Sequence, residues 1–258
     1  MQLNIYKDYE ALSNDAAEII LAAVKANPTA VLCLATGDTP RFTYKLLAEK
    51  AIEEKVDFSG CSLIGLDEWV GISSGSEGDC RLFLERLVIA PLNIPASQVH
   101  LFNGLATDMD AECSNMDQAI AAKGGIDLML VGVGLNGHIG FNEPGILTDL
   151  YAHVINLQEI TQSIGQKYFN EAVAIKQGIT LGFKHVLQSK KLIMMANGEK
   201  KAAIMQKAVE EEISSLVPAS IIRTHAQSWA MLDEAAAALI NLQILPDDVV
   251  VGHNFSNS

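Results

Sequence analysis

A three-layer, doubly wound α/β fold with a mostly parallel central sheet is the architecture this sequence predicts, and three observations carry it. Short apolar runs at residues 30–35, 62–66, 126–133 and 191–196 are each too short for a helix of their own, which marks strands buried on both faces. Amphipathic stretches of helical period separate them, and such alternation implies parallel strands with helices on both sides of the sheet. Two of the runs end in glycine-containing turns that carry polar side chains, at residues 36–40 and 132–144, where an open α/β sheet binds ligands. The 258 residues are 49% hydrophobic, enough for one Rossmann-like domain with a full core and a helical lid at about residues 145–185.

The elements follow in order. Residues 8–27 place Leu12, Ala16, Ile19, Ile20 and Ala23 on one helical face, and Pro28 ends that helix. The strand at 30–35 passes through Thr36-Gly37-Asp38-Thr39-Pro40 into a helix over 41–55, with proline near its first turn. A second strand, 62–66, ends at Asp67-Glu68-Trp69-Val70-Gly71. Residues 71–79, rich in glycine and serine, read as a loop, followed by a helix to about 88. The chain turns through Pro91 and Pro95 into a short strand at 99–102, and a helix over 108–123 precedes the central strand from Ile126. Beyond Pro144, residues 157–174 read as a helix of mixed polarity, a mobile cover, and 178–182 as turn-like. After the strand at 191–196, Asn197-Gly198-Glu199-Lys200-Lys201 opens a helix to about 211. Residues 230–232 are strand-like, 233–241 an alanine-rich helix, and the tail after Pro246 peripheral.

A net charge of −13 argues against nucleic acid and anionic membrane surfaces as partners. No apolar run approaches membrane-spanning length and no signal-peptide pattern opens the chain, so a cytoplasmic protein is expected, monomer or homo-oligomer. Cys33, Cys61, Cys80 and Cys113 lack C-x-x-C spacing, and Cys33 and Cys61 read as buried thiols. The histidines show neither H-x-x-x-H nor H-x-H spacing, so no metal is expected. An acidic protein that holds an anion must build a local cationic pocket.

Four strand ends carry candidate chemistry. Thr36, Gly37, Asp38 and Thr39 open a helix, where backbone amides and hydroxyls can seat an anion, although an ordinary N-cap would look the same and Asp38 would repel a phosphate unless it points away. Asp67, just past a buried strand, is a candidate base if desolvated, or else a turn cap. The loop after the central strand brings Asn136, His138 and Glu143, an imidazole and a carboxylate five residues apart, suited to proton transfer. Its Gly132-Val133-Gly134-Leu135-Asn136-Gly137 satisfies the G-x-G-x-x-G dinucleotide pattern. His138, Gly140, Asn142 and Pro144 come next and are poor helix-opening material, so the glycines read as close-approach points for a small ligand and no cofactor is expected. Lys201, in the first turn of its helix, opposes the helix dipole and suits an anion. Together these residues fit a sugar-phosphate isomerase.

Leu34-Ala35-Thr36-Gly37-Asp38-Thr39-Pro40, Leu66-Asp67-Glu68-Trp69-Val70-Gly71 and Gly132 through Pro144 resemble the glucosamine-6-phosphate deaminase/isomerase family over nearly the whole chain. The resemblance implies Asp67 as the base that moves a proton between carbons 2 and 1, His138 as the ring-opening acid and Glu143 as the carboxylate that tunes it. It implies Asn136 at a position where many relatives carry aspartate, and a phosphate site of Thr36, Gly37, Asp38, Thr39 and Lys201. Lys167 is the nearest match to the family's lid arginine, without the bidentate geometry. Residues 145–153 lack the arginine of allosterically activated members. Residues 34–37, 66–70, 123–128 and 178–182 resemble the galactosamine-6-phosphate branch, which implies that epimer as substrate and tagatose-6-phosphate with ammonia as products. The related 6-phosphogluconolactonases share the Gly-His core and typically lack the Phe141-Asn142-Glu143-Pro144 extension. A non-catalytic sugar-phosphate sensor is the alternative of another class.

Overall fold

The computed structural model describes residues 1–73 and 75–252; Ser74 of the expected 71–79 loop and the last residues of the expected tail, 253–258, lie outside the described residues. Its main sheet holds β1 (Gln2–Tyr6), β2 (Val31–Leu34), β3 (Ser62–Gly65), β5 (Val99–His100), β6 (Leu128–Gly132), β9 (Lys191–Ala196), β10 (Ser228–Asp233) and β11 (Val250–Val251). They stand in the order β11-β1-β10-β9-β6-β2-β3-β5, each pair of neighbours parallel.

The apolar runs explain the layering, because side chains alternate across a strand. Along β6, Met129 and Val131 pack into one core cluster with Cys33 and Ile64. Leu128 and Leu130 pack into the other with Leu32, Leu34 and Leu63. The second cluster is roofed by α1 (Tyr9–Ala26), which buries Leu12, Ala16 and Ile20, and by α2 (Asp38–Glu53), which buries Tyr44 and Leu47. Asp8 caps α1 by accepting the Ala11 amide at 2.8 Å. After α3 (Cys80–Leu84) and a π turn at Glu85–Ile89, α4 (Met109–Ala122) covers the opposite face with Cys113, Met116 and Ile120.

A smaller antiparallel sheet, β4 (Asp67–Trp69), β8 (Gln177–Thr180) and β7 (His153–Asn156), sits beside the carboxyl ends of the main strands. It corrects the turn-like reading of 178–182 and adds β7, which no sequence pattern marks. Gly178 serves close packing: a Cβ there would lie 2.2 Å from the Phe141 ring. The cover expected at 157–174 is shorter, α5 (Glu159–Gly165) with a 3-10 turn at Gln166–Tyr168. Beyond β8, α6 (Phe183–Gln188) buries Phe183 and Val186 on the α4 side of the main sheet.

One strand lies where the sequence predicts no element, and two further expectations change. The first strand, Gln2–Tyr6, is buried at Leu3, Asn4 and Tyr6 although its sequence is mixed. Residues 234–239 form turns, not a helix; the Asp233 carboxylate takes the Ala236 amide at 2.7 Å and the Gly198 amide at 2.9 Å, tying the segment to the sheet end. The segment after Pro246 supplies the edge strand β11, and Asp248 accepts the Arg223 guanidinium at 2.6 and 2.8 Å. Among the described residues no helix is long and apolar enough to cross a membrane.

Candidate active site

From β2 the chain moves outward through β3 to β5, then returns to β6 on the other flank of β2. The crevice between the ends of β2 and β6 is therefore the topological switch point of the sheet. Thr36–Thr39 follow β2 and the 133–144 loop follows β6. Asp67 follows β3 and Lys201 follows β9, the outer neighbours of that pair. Parallel strands put all four segments on one edge.

Gly37 sets the anion turn. Its φ of +109° is open to glycine and strained for other residues, and it caps α2, which begins at Asp38 with no side chain bonded to its first amides. Asp38 turns its carboxylate to Lys167 Nζ at 2.6 Å, so a cation answers the repulsion it would offer a phosphate. Lys201 approaches from the β9 side and donates to the Val133 carbonyl. Burial first, then Lys167, pull its ammonium down to about 8, while Asp38 opposes them. It ends a 3-10 turn, Glu199–Lys201, and is the N-cap of α7 (Ala202–Glu210), at the positive end of that helix. Tyr168 lies against the turn: its hydroxyl is 3.4 Å from where a Gly37 Cβ would stand. A cleft of about 160 Å³ opens beside Thr36, Gly37, Trp69, Cys80 and Tyr168. Cys80, one of its lining residues, holds its Sγ 3.8 Å from Asp67 Oδ1.

In the 133–144 loop, His138 Nδ1 lies 3.6 Å from Glu143 Oε2 and 3.2 Å from Thr161 Oγ1, which leaves Nε2 for a ligand. Burial pushes the Glu143 carboxyl up, and hydrogen bonds with His138, Thr161 and Asn136 outweigh it, holding the group below its usual value. Asn136 supports Glu143 rather than the imidazole: Nδ2 donates to Glu143 Oε2 at 2.7 Å, and Oδ1 accepts the His138 amide at 3.3 Å. One of the glycines, Gly134, has a different reason from the one expected. A Cβ on Gly134 would lie 2.3–2.5 Å from the His138 ring atoms, so Gly134 makes room for the imidazole and not for a ligand.

Asp67 is partly accessible, and burial of its carboxyl pushes it up to about 7, against a lowering hydrogen bond with Cys80. A Cβ on Gly140, two residues past His138, would lie 3.5 Å from Asp67 Oδ2. The same two segments are stitched by Thr180, the strand partner of Asp67: its Oγ1 accepts the Phe141 amide at 3.2 Å. Next in the chain, Glu68 is pushed to about 8 by burial and by its neighbour Asp79.

The structure thus gathers Thr36, Gly37, Asp38, Thr39, Lys167 and Lys201 into one patch and Asn136, His138 and Glu143 into one network, with Asp67 between them. Thr161, Gln158 and Cys80 join the site without a sequence signal. Thr161 and Gln158 lie at the start of the segment read only as a cover, and Gln158 donates its amide to Glu143 at 3.1 Å. Among the described residues no group of three His, Cys, Asp or Glu side chains is placed to hold a metal ion.

Fold and site together define an α/β protein that brings a lysine-flanked turn, buried carboxylates and an imidazole to one edge of a parallel sheet. Residues 7–231 match the family described as glucosamine-6-phosphate isomerases/6-phosphogluconolactonase, and the chain belongs to that family. It is 42% identical over 218 residues to the glucosamine-6-phosphate deaminase of Lachnoclostridium phytofermentans, covering 84% of this chain and 92% of that one. It is 37% identical over 241 residues to that of Geobacillus sp. (strain WCH70), covering 93% and 96%. A solved structure described as a monomeric glucosamine-6-phosphate deaminase superposes with a TM-score of 0.90 at 34% identity, covering 93% of this chain and all of that one, 100%.

Proposed function

We propose that this protein deaminates and isomerises an amino-sugar 6-phosphate to the ketose 6-phosphate and ammonia. The phosphate sits on the Thr36–Thr39 turn, with Lys201 and Lys167 supplying charge. His138 Nε2 gives a proton to the ring oxygen as the C1–O5 bond breaks and takes up the carbon-1 hydroxyl proton, leaving the open-chain aldehyde, and Glu143, held by Asn136 and Thr161, keeps the imidazole oriented. Asp67 takes the proton from carbon 2 and returns it to carbon 1 through an enediol-like intermediate. The imine left at carbon 2 adds water and releases ammonia.

The observation that carries this reading is the approach of Asp67 Oδ2 to the loop of His138 and Glu143, 3.5 Å from the Gly140 Cβ position. A base poised near 7 suits carbon-acid chemistry at neutral pH. The deaminase relatives support glucosamine 6-phosphate as substrate. The branch-like segments at 34–37, 66–70, 123–128 and 178–182 support the galactosamine epimer as the second reading. The similarity to a structure described as a monomeric glucosamine-6-phosphate deaminase supports a site complete in a monomer. Four free, buried thiols fit a cytoplasmic setting.

Ammonia release measured separately with glucosamine 6-phosphate and galactosamine 6-phosphate tests the reading and decides the epimer. Release from neither, with hydrolysis of 6-phosphogluconolactone, overturns it in favour of the lactonase. Binding of the sugars without turnover of any overturns it in favour of a sensor.

A further inference from the structure

Cys80 belongs to none of the motifs that mark this family, yet it stands between two of them. We propose that Cys80 is a positioning residue whose thiol holds Asp67 in place and ties it to the anion turn through Thr36. The inference rests on Asp67 being the proton-transfer base. Cys80 Sγ lies 3.8 Å from Asp67 Oδ1 and 3.3 Å from Thr36 Oγ1. An ionised carboxylate only accepts, so the S–H donates to Asp67 and the threonine hydroxyl donates to the sulfur. Among the described residues this thiol is the one side-chain hydrogen-bond donor to Asp67.

The backbone around Cys80 is fixed to the strand that carries Asp67. The Cys80 amide donates to Glu68 Oε1 at 3.2 Å, the Arg81 amide to Glu68 Oε2 at 3.0 Å and the Trp69 amide to Glu68 Oε1 at 2.8 Å. Asp79 caps α3 from the other side, accepting the Arg81 amide at 2.6 Å. Glu68 therefore bolts the start of α3 to β4. The sulfur then has a set direction, towards the carboxylate next to Glu68 in the chain.

Burial, and the carboxyls of Glu68 and Asp67, push the thiol well up, so it stays protonated and acts as a donor rather than a nucleophile. Among the described residues, Cys33 on β2 and Tyr44, whose hydroxyl is turned to the Ala35 carbonyl at 2.6 Å, also feel the Asp67 charge. Neither is placed to replace the thiol.

The test compares Cys80→Ala and the near-isosteric Cys80→Val with Cys80→Ser, each checked for folding by circular dichroism. The pH profile of kcat is read for deamination by the purified protein. Loss of the donor removes a stabilising bond to the carboxylate. The acid limb should move up by about half a pH unit, and kcat should fall about tenfold with KM held within about twofold. Cys80→Ser should restore the limb and most of kcat. Folded Ala and Val variants with the wild-type limb and kcat would overturn the proposal. So would a rise in KM alone, which would place Cys80 in phosphate binding only, or a serine variant that behaves like alanine. Asp67→Asn is the separate control: if it stays fully active, the assignment of the base fails whatever Cys80 does.

Discussion

Nδ1 of His138 lies 3.6 Å from Oε2 of Glu143, and the hydroxyl of Thr161 touches the same ring nitrogen at 3.2 Å. This arrangement fixes which face of the imidazole meets a sugar. Glu143→Gln removes the charge and keeps the shape. It should lower kcat by about tenfold to a hundredfold with little change in KM, because the proton transfer loses its oriented partner while the phosphate seat is untouched. Steady-state kinetics at neutral pH checks it; an unchanged kcat would separate Glu143 from the chemistry.

Gly134 tests the same imidazole sterically. A Cβ at this position meets the His138 ring at 2.3–2.5 Å, and aromatic rings do not yield by that much without moving as a whole. Gly134→Ala should stay folded and lose at least about a hundredfold in kcat, through displacement of the imidazole by about 1 Å. Near-wild-type turnover would show that His138 need not sit where it does.

The charge on Lys201 gives a pH dependence with a definite sign. Burial brings its ammonium to about 8, so above that pH the unliganded protein loses the cation that a phosphate dianion needs. Apparent KM should rise as pH passes upward through about 8, and phosphate binding below it should leave the lysine charged. Lys201→Gln should raise KM by at least about tenfold and flatten this rise. Lys167→Ala should act more weakly, since its ammonium is half-exposed and shared with Asp38.

Asp67 and Glu68 couple the site to stability. Their carboxyls titrate near 7 and 8 in the folded chain against 3.8 and 4.5 without it, so folding takes up protons between those values. Raised acids stabilise most fully when protonated, and that contribution is lost as pH rises towards 8. Asp67→Asn should therefore melt several degrees above the wild type at pH 8.5, with the difference shrinking at pH 5. A pH-independent difference in melting temperature would contradict the buried, raised carboxyl.

The parts of this fold that were legible are those with a strong local cause. Val31–Leu34 and Leu128–Gly132 are buried on both faces and read as continuous apolar runs. Gly37 and Pro40 mark the start of α2. Gln2–Tyr6 alternates polar and apolar residues over five positions only, and the partly exposed His153–Asn156 spans four mixed ones, so neither stands out as an apolar run and tertiary pairing decides both. The alanines after Asp233 misled in the opposite direction. Helix propensity is worth tenths of a kcal/mol per residue, about what one capped turn can override. At the site, Asp67, His138 and Glu143 lay in motifs, and Thr36–Thr39 at a strand-to-helix turn. Cys80 and Thr161 had no spacing that linked them to Asp67 or His138, because their contacts cross 13 and 23 positions of chain through folding.

The central claim is that Asp67 and His138 act on one sugar phosphate from the same sheet edge. Its most direct test is deuterium exchange at carbon 2 of the amino-sugar phosphate in heavy water, comparing wild type, Asp67→Asn and His138→Gln. Starting from the closed ring, the account predicts exchange in the wild type, none with Asp67→Asn, and exchange slowed to the rate of spontaneous ring opening with His138→Gln. Undiminished exchange in Asp67→Asn would contradict it.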